Sequence, residues 1–190
     1  SNRVDGMLLT RALEDDRALQ YLSQVNFPTA LTGTCRYDNI IQVDTDNEGA
    51  AEKMTTLLIG KGFRRFAFLV KNMSYNVDRK RHEGFCRALI KNGISEKDQL
   101  FYNGSIRMEF LDAIIENIIS KKVECIICGD DEICTMVMSR LQAEGYRIPK
   151  DVAIASLYNS TNLDCYSPAV TAVSVAASQM GGAAVRQLIQ

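Results

Sequence analysis

Hydrophobic and polar positions alternate between two patterns along the chain. Continuously apolar runs such as Phe66–Val70 and Val123–Cys128 predict strands covered on both faces, because a half-exposed strand would alternate apolar and polar residues. Stretches such as Val77–Asn92 instead repeat their apolar residues with helical spacing. Because strands and helices alternate, the pattern predicts an α/β fold with parallel sheet flanked by helices.

The same pattern gives approximate bounds for every element. The predicted strands are Val4–Leu9, Thr29–Leu31, Ile40–Val43, Phe66–Val70, Gln99–Tyr102, Val123–Cys128, Val152–Leu157 and Val170–Val173. The predicted helices are Asp15–Gln24, Glu48–Lys61, Val77–Asn92, Arg107–Lys121, Glu132–Glu144 and Ser178–Gln190. Two irregular stretches, at Gly62–Arg65 and Asn159–Pro168, are predicted to cross between two lobes with a cleft between them.

Composition narrows the class of protein. The 190 residues carry a net charge of −1 and are 46% hydrophobic and 24% charged, which is typical of a globular domain. Because no basic face is evident, we expect no nucleic-acid binding by this chain itself. No apolar run approaches the ~20 residues of a membrane span, so no membrane partner is expected. Cysteines within apolar segments favour a reducing, cytoplasmic compartment.

Several motifs that suggest chemistry are better explained as structure. Cys125 and Cys128 lie three residues apart in one predicted strand, so their thiols point to opposite faces and cannot share a metal. His82, the only histidine, lies on a highly charged helix without a nucleophile motif nearby. Glycine-rich phosphate loops are absent from the sequence. We therefore expect no enzyme activity, no metal and no cofactor.

Polar residues collect where predicted strands end. Asp130-Asp131 follows one buried strand and Tyr158-Asn159 follows the next, so both pairs emerge at the carboxyl edge of a parallel sheet, where such folds bind ligands. Arg81, near the start of a helix, can project its guanidinium toward that edge and bind vicinal hydroxyls or a carboxylate.

A series of motifs in this order resembles one family. VDGMLL (4–9), FPTA (27–30), VDTDNEGA (43–50), LIGKGFRRFAF (58–68), RHEGFCRAL (81–89) and GYRIPKDVAI (145–154) are similar to successive motifs of the lactose-repressor (LacI/GalR) family of transcriptional regulators. The matches run through nearly the whole chain. Each match is weak alone, and together they are specific.

The resemblance implies a periplasmic-binding-protein-like type I fold with two Rossmann-like lobes and a sugar-like effector in the cleft. It assigns residues 1–64 and 169–190 to an incomplete N-terminal lobe and residues 65–168 to a C-terminal lobe. It also implies a homodimer that binds an operator through a helix-turn-helix headpiece absent from this chain, under allosteric control by the effector.

The resemblance also indicates site residues. Arg81 matches the family's ligand-binding arginine, while Asp130 replaces a usual asparagine and Tyr158 a usual aspartate. Asn159, Tyr75 and Asn76 are further predicted effector contacts, and the predicted dimer contacts are Cys165, Tyr166 and Met136. Two alternatives stay open for the effector: Asp130 accepts sugar hydroxyls in place of the missing aspartate, or the effector is not an ordinary hexose.

Two other functions fit parts of the pattern. An exported sugar-binding protein of a transport system would have the same two-lobe architecture, although the cysteine usage disfavours it. An enzyme could use the carboxylates of Asp130 and Asp131, but adjacent residues at a strand end point in different directions and no base or nucleophile accompanies them.

Overall fold

The computed structural model describes residues 4–104 and 108–190, and these form two parallel sheets with helices packed on them. The first sheet has the order β1-β2-β3 and the second the order β5-β4-β6-β7-β8. The strands are β1 (Met7–Leu9), β2 (Thr29–Thr32), β3 (Ile41–Val43), β4 (Phe66–Val70), β5 (Leu100–Asn103), β6 (Cys125–Cys128), β7 (Ala153–Ser156) and β8 (Thr171–Ala172). The helices are α1 (Arg17–Gln24), α2 (Asn47–Gly60), α3 (Asn76–Lys91), α4 (Met108–Ser120), α5 (Asp131–Ala143), α6 (Thr161–Asp164) and α7 (Ala177–Leu188), with a short 3₁₀ turn at Glu96–Asp98.

The predicted α/β class is confirmed, and most predicted elements agree with the structure to within a few residues. β4 matches its prediction at both ends because an unbroken apolar run lies between polar neighbours. β1 begins at Met7, three residues later than predicted. The predicted start of α4 at Arg107 lies outside the described residues. The stretch predicted to be irregular contains α6, a single turn that Ser160 caps.

The second sheet is the core of the molecule. Its central strands β4, β6 and β7 are buried along their whole length. Helices α4 and α5 cover one face, while α2 and α3 cover the other. Cys125 and Cys128 lie in the separate apolar clusters on these two faces, which confirms that their thiols point apart.

The first sheet is smaller and less buried. A cluster of Ala12, Leu19, Leu31 and Ile40 forms its core, and β1 carries exposed residues. Helix α7 returns from the end of the chain to pack on β2 and β3. We use the name first lobe for this sheet with α1 and α7, and second lobe for the five-stranded sheet with α2 to α6.

Two elements pack on the second sheet although the resemblance assigns them to the N-terminal lobe, and the predicted lobe boundaries stay a prediction. Helix α2 lies before the crossing predicted at Gly62–Arg65, and its apolar residues join the core under β4. Strand β8 was likewise predicted in the first lobe, and it pairs with β7. Helical spacing shows that a helix has an apolar face but does not show which sheet covers it, which explains the first difference.

Close packing of α2 against α3 explains one glycine of the RHEGF motif. A Cβ atom at Gly84 would overlap the carbonyl oxygen of Glu48 and would lie 3.0 Å from the Cβ of Ala51. Glycine therefore lets the two backbones approach, and this approach fixes the helix that carries Arg81.

The strand order of the second sheet indicates at which edge a ligand is expected to bind. Strand β4 pairs with β5 on one side and β6 on the other, so the connections leave β4 and β6 in opposite directions. Parallel sheets bind ligands at such a switch point, outside the carboxyl ends of the strands. Lys71 follows β4 directly, and Asp130 lies two residues beyond β6.

Candidate functional site

A cavity of about 640 Å³ lies between the lobes, at the carboxyl ends of strands from both sheets. This volume is within the usual range of small-molecule sites, about 300–1,000 Å³. The lining residues are Leu8, Thr10, Arg11, Ala12, Thr32, Gly33, Thr34, Asp44, Thr45, Asn47, Lys71, Tyr75, Val77, Asp78, Arg81, Asp130, Asp131, Glu132, Tyr158, Val175, Ala177, Met180 and Gly181.

Arg81 is a buried charge of the cavity wall. It is only 7% exposed, and its Nη1 donates a hydrogen bond to the carbonyl oxygen of Gly129 at 2.8 Å. The same nitrogen lies 4.0 Å from Oδ1 of Asp78. Burial lowers the pKa of the Arg81 guanidinium, and the nearby carboxylates of Asp78, Asp130 and Asp44 oppose that shift. The side chain is therefore held in one orientation by protein groups before any ligand arrives.

Asp78 lies one turn before Arg81 in α3. Its Oδ2 accepts a hydrogen bond from the backbone N–H of Asn72 at 3.0 Å. Burial raises the pKa of this carboxyl, and the Asn72 N–H and the charge of Arg81 act in the opposite direction. The pair thus supplies one acceptor and one cation that neutralise each other at the base of the cavity.

Asp130 links the start of α5 to the end of β4. Its Oδ1 accepts the N–H of Ile133 at 2.9 Å and caps the helix, and its Oδ2 lies 2.8 Å from Nζ of Lys71. Lys71 also pairs with Glu132 in the first turn of α5. Burial alone would lower the pKa of Lys71, but the hydrogen bonds to Asp130 and Glu132 outweigh it, so the pKa is raised.

The first-lobe wall consists mainly of neutral groups. Its polar side chains include the hydroxyls of Thr10, Thr32 and Thr34, and its charged ones are Arg11 and Asp44, which directly follows β3. The Arg11 guanidinium lies over the ring of Tyr75 at 5.0 Å from the ring centre, which is a cation–π contact across the two lobes.

Contacts beside the lining residue Tyr75 join the lobes. Leu13 and Tyr75 form an antiparallel bridge, and the N–H of Glu14 donates to the carbonyl oxygen of Ser74 at 2.8 Å. The carboxylate of Glu14 pairs with Arg79 at 2.7 Å. The lobes are therefore connected next to the cavity through backbone and side-chain bonds.

Four of the predicted effector residues meet in this cavity, namely Arg81, Asp130, Tyr158 and Tyr75. The predicted Asn76 and Asn159 are not among the lining residues. Asn76 uses its Nδ2 to donate to the carbonyl oxygen of Thr34 at 2.6 Å, so it bridges the lobes. Asn159 turns toward α6, where its Nδ2 donates to Asp164 at 2.9 Å.

The predicted dimer residues lie in α5 and directly after α6. Met136 and Tyr166 are partly buried against the core of the second lobe, whereas Cys165 is exposed. Their role in dimerisation stays a prediction.

Sequence reasoning missed Lys71, Asp78, Glu132 and Arg11. Lys71 and Arg11 each follow a strand closely, so the strand-end signal that selected Asp130 could have found them. Asp78 lies three residues before Arg81 and therefore on the same helix face. Glu132 could not be selected from the sequence, because its place at the cavity depends on its ion pair with Lys71, a residue distant along the chain.

Residues 4–104 and 108–190 contain no group of three or more His, Cys, Asp or Glu side chains arranged to hold a metal ion. Among the helices of those same residues, none is long and apolar enough to cross a membrane.

Comparisons with known proteins give a consistent result. Residues 55–190 match the family model of the periplasmic binding protein-like domain. The chain is 26% identical over 191 residues to the HTH-type transcriptional regulator CelR of Thermobifida fusca, which covers 98% of this chain and 56% of that protein. It is 24% identical to catabolite control protein A of Staphylococcus xylosus, covering 99% of this chain and 57% of the other. The chain thus spans just over half the length of these relatives.

Solved structures agree with the sequence matches. A structure described as transcriptional regulator LacI from Bacillus cereus subsp. cytotoxis superposes with a TM-score of 0.91 at 31% identity, covering 98% of this chain and 68% of that one. A complex of the transcriptional regulator CelR with cellobiose gives a TM-score of 0.86 at 26% identity, with 98% and 59% coverage.

Proposed function

Because the chain belongs to the periplasmic binding protein-like domain family, among the LacI-family transcriptional regulators, we propose that it is the effector-sensing and dimerisation part of a DNA-binding regulator. A small sugar-like molecule binds in the cavity between the lobes and alters their relative orientation. In the full-length, cytoplasmic homodimer this change controls operator binding by a helix-turn-helix headpiece, without catalysis.

The observation that carries this proposal is the cavity with a buried arginine between two lobes. A ligand there contacts groups of both lobes, so its binding energy depends on how the lobes are oriented. A ligand shifts a conformational equilibrium only by its difference in affinity for the two states, and a site shared by both lobes supplies that difference. The CelR–cellobiose complex favours a sugar as the first ligand class to test.

The two other functions have less support. The relatives that match most of this chain are transcriptional regulators, which disfavours a transport protein. For an enzyme, a base would have to accompany the cavity carboxylates. His82 instead packs against the ring of Phe101 with ring centres 4.3 Å apart, and it is not among the lining residues.

Replacing Arg81 tests the proposal. At a sugar concentration of about 100 times Kd, the wild-type protein should gain about 2.7 kcal/mol of stability. The variant R81M should remain folded and show no gain, because the buried donors for ligand hydroxyls are lost. Thermal-shift screening with cellobiose and other mono- and disaccharides measures both proteins.

The control is R87M, which removes an exposed arginine of the same helix that pairs with Glu48. It should keep the ligand response. If R81M responds like the wild type, Arg81 does not bind the effector. If no sugar stabilises the wild-type protein, the sugar-like ligand class is wrong.

Dimerisation is tested with the full-length regulator. Analytical ultracentrifugation at micromolar concentration should give the mass of a dimer. A monomer at that concentration would contradict the regulator and would favour the transport protein, which acts without a dimer.

A further inference from the structure

The charges on the cavity wall limit the chemical class of the effector more narrowly than family membership does. This inference rests on the proposed function, since it concerns which ligand the same cavity accepts. Among the residues that the structure describes, the lining contains more carboxylates than cations. The carboxylates are Asp44, Asp78, Asp130, Asp131 and Glu132, and the cations are Arg11, Lys71 and Arg81.

The three cations are already engaged with protein groups. Lys71 pairs with Asp130 at 2.8 Å and also with Glu132. Arg81 donates to the carbonyl oxygen of Gly129, and Arg11 stacks on the ring of Tyr75. A ligand anion would have to share these cations with their protein partners and would meet the carboxylates at the same time.

The start of α5 would ordinarily attract an anion. Free N–H groups and the helix dipole make a helix N-terminus favourable for phosphate or carboxylate. Here the carboxylate of Asp130 accepts the N–H of Ile133, and Asp131 and Glu132 occupy the first turn. The helix therefore supplies its own anions, and a phosphorylated ligand would be repelled.

The ammonium group of Lys71 determines which ligand groups can bind the carboxylates at the start of α5. Without its ammonium group, Asp130 and Glu132 would present unpaired carboxylates to the cavity, and an amine of a ligand would replace the lost cation. With Lys71 in place, that position is occupied by a protein ammonium, and the outer lone pairs of the carboxylates remain for hydroxyl donors.

We propose that Lys71 is a specificity-determining residue that makes this cavity select uncharged polyhydroxyl ligands over their amine-bearing analogues, while the carboxylates at the start of α5 exclude the phosphorylated analogues. Lys71 acts through its ion pairs with Asp130 and Glu132. The threonines of the first lobe and Arg81 supply the remaining hydrogen bonds to hydroxyl groups.

Matched sets of probes test this proposal by calorimetry. One set is glucose, glucose 6-phosphate and glucosamine, and the other is cellobiose, its 6′-phosphate and its diamino analogue. In the set that binds, the wild-type protein should bind the neutral member at least about tenfold more tightly than either charged member. In the variant K71M, the amine should gain at least about tenfold relative to the neutral sugar, and the phosphate should weaken further.

Two further variants keep the test decisive. K71R preserves the positive charge and should preserve the wild-type order of affinities, which separates the charge of residue 71 from any effect on folding. K91M removes an exposed lysine that pairs with Glu52 outside the cavity, and it should change nothing. Circular dichroism and thermal melts establish that each variant is folded.

Each remaining outcome contradicts a different statement. If the wild-type protein binds a phosphate or an amine most tightly, sugar sensing stands and the selectivity proposal is wrong. If the order of affinities is the same in K71M and the wild type, Lys71 does not set it. If no member of either set binds, the sugar-binding function fails, and this inference fails with it.

Discussion

The two walls of the cavity are built from different chemistry. The first lobe offers mainly hydroxyl groups, from Thr10, Thr32 and Thr34, and its charged lining residues are Arg11 and Asp44. The second lobe offers more charged groups, after β4, in α3 and at the start of α5, namely Lys71, Asp78, Arg81, Asp130 and Glu132. Protein partners already hold most of these charges, whereas a hydroxyl can rotate to donate or accept.

This difference assigns separate tasks to the lobes. Under the proposed function, the charged wall is fixed before binding and selects the class of ligand, because a misplaced charge costs far more than a misplaced hydroxyl. The hydroxyl groups of the other wall can rotate to suit the ligand and contribute less to affinity. Substitutions in the two walls should therefore differ in the size of their effects.

The largest effect is expected for Asp130→Ala. The change removes a charged acceptor from the second-lobe wall and releases Lys71 from its pair, so effector affinity should fall about 10- to 100-fold, or ~1.5–3 kcal/mol. It also removes the cap of α5, which should lower the free energy of unfolding by about 1 kcal/mol. Calorimetry with the tightest-binding sugar and urea unfolding measure the two quantities.

Asp46→Ala separates these two effects. Asp46 caps α2 through the N–H of Gly49 at 2.8 Å and does not line the cavity. Its loss should destabilise the fold by a similar ~1 kcal/mol and leave affinity unchanged. Equal loss of affinity in both variants would show that a helix cap, and not the charged wall, controls binding.

A smaller effect is expected for Thr32→Val on the opposite wall. The substitution removes one neutral hydroxyl with little change of shape, so affinity should fall by only about 0.5–1.5 kcal/mol. The same calorimetric titration measures it. A loss as large as that of Asp130→Ala would abolish the proposed difference between the walls.

The smallest effect is expected for Asp78→Asn, and it concerns the pH dependence of the free energy of unfolding. Burial raises the pKa of Asp78 above its usual 3.8, so the folded state retains this proton at a higher pH than the unfolded state does. Between the two pKa values, stability therefore falls as pH rises. The variant lacks this penalty, so its stability relative to the wild type should improve as pH rises through that window. Urea unfolding over a series of acidic pH values measures the change.

Asp151→Asn should change the pH dependence of stability in the opposite direction. The hydrogen bond from the Arg147 side chain lowers the pKa of Asp151 to about 2, and this exposed carboxylate lies outside the cavity. Its contribution to stability is present above the unfolded pKa and disappears as pH falls toward 2. Asp78→Asn and Asp151→Asn should therefore show opposite pH dependences of stability relative to the wild type. The same direction in both variants would contradict the conclusion that burial raises the pKa of Asp78.

Sequence patterns predicted those parts of the fold that depend on local order. Phe66–Val70 is apolar at every position, so burial on both faces follows from the sequence alone. Arg81 and Asp130 could be selected because each stands at a recognisable position in a motif and near a strand end. Both line the cavity.

Features that depend on a distant partner were not predictable. Lys71 and Glu132 are separated by 61 positions, and only the folded sheet brings their charges together. Asn159 follows a strand just as Asp130 does, but the turn after β7 directs it toward Asp164. The packing of α2 likewise depends on a distant residue. Gly84 of α3 is far from α2 along the chain, and its missing side chain permits the two helices to approach closely.

The return of α7 to the first sheet has a consequence for the order of events during synthesis. Helix α7 packs on β2 and β3, which emerge from the ribosome about 150 residues earlier, and it contributes Ala177, Met180 and Gly181 to the cavity. All five strands of the second sheet have been made once β8 is synthesised, whereas α7 is made later. A nascent chain can thus bury its main core before α7 adds its residues to the cavity, so ligand binding at the proposed site would depend on residues that are made after that core.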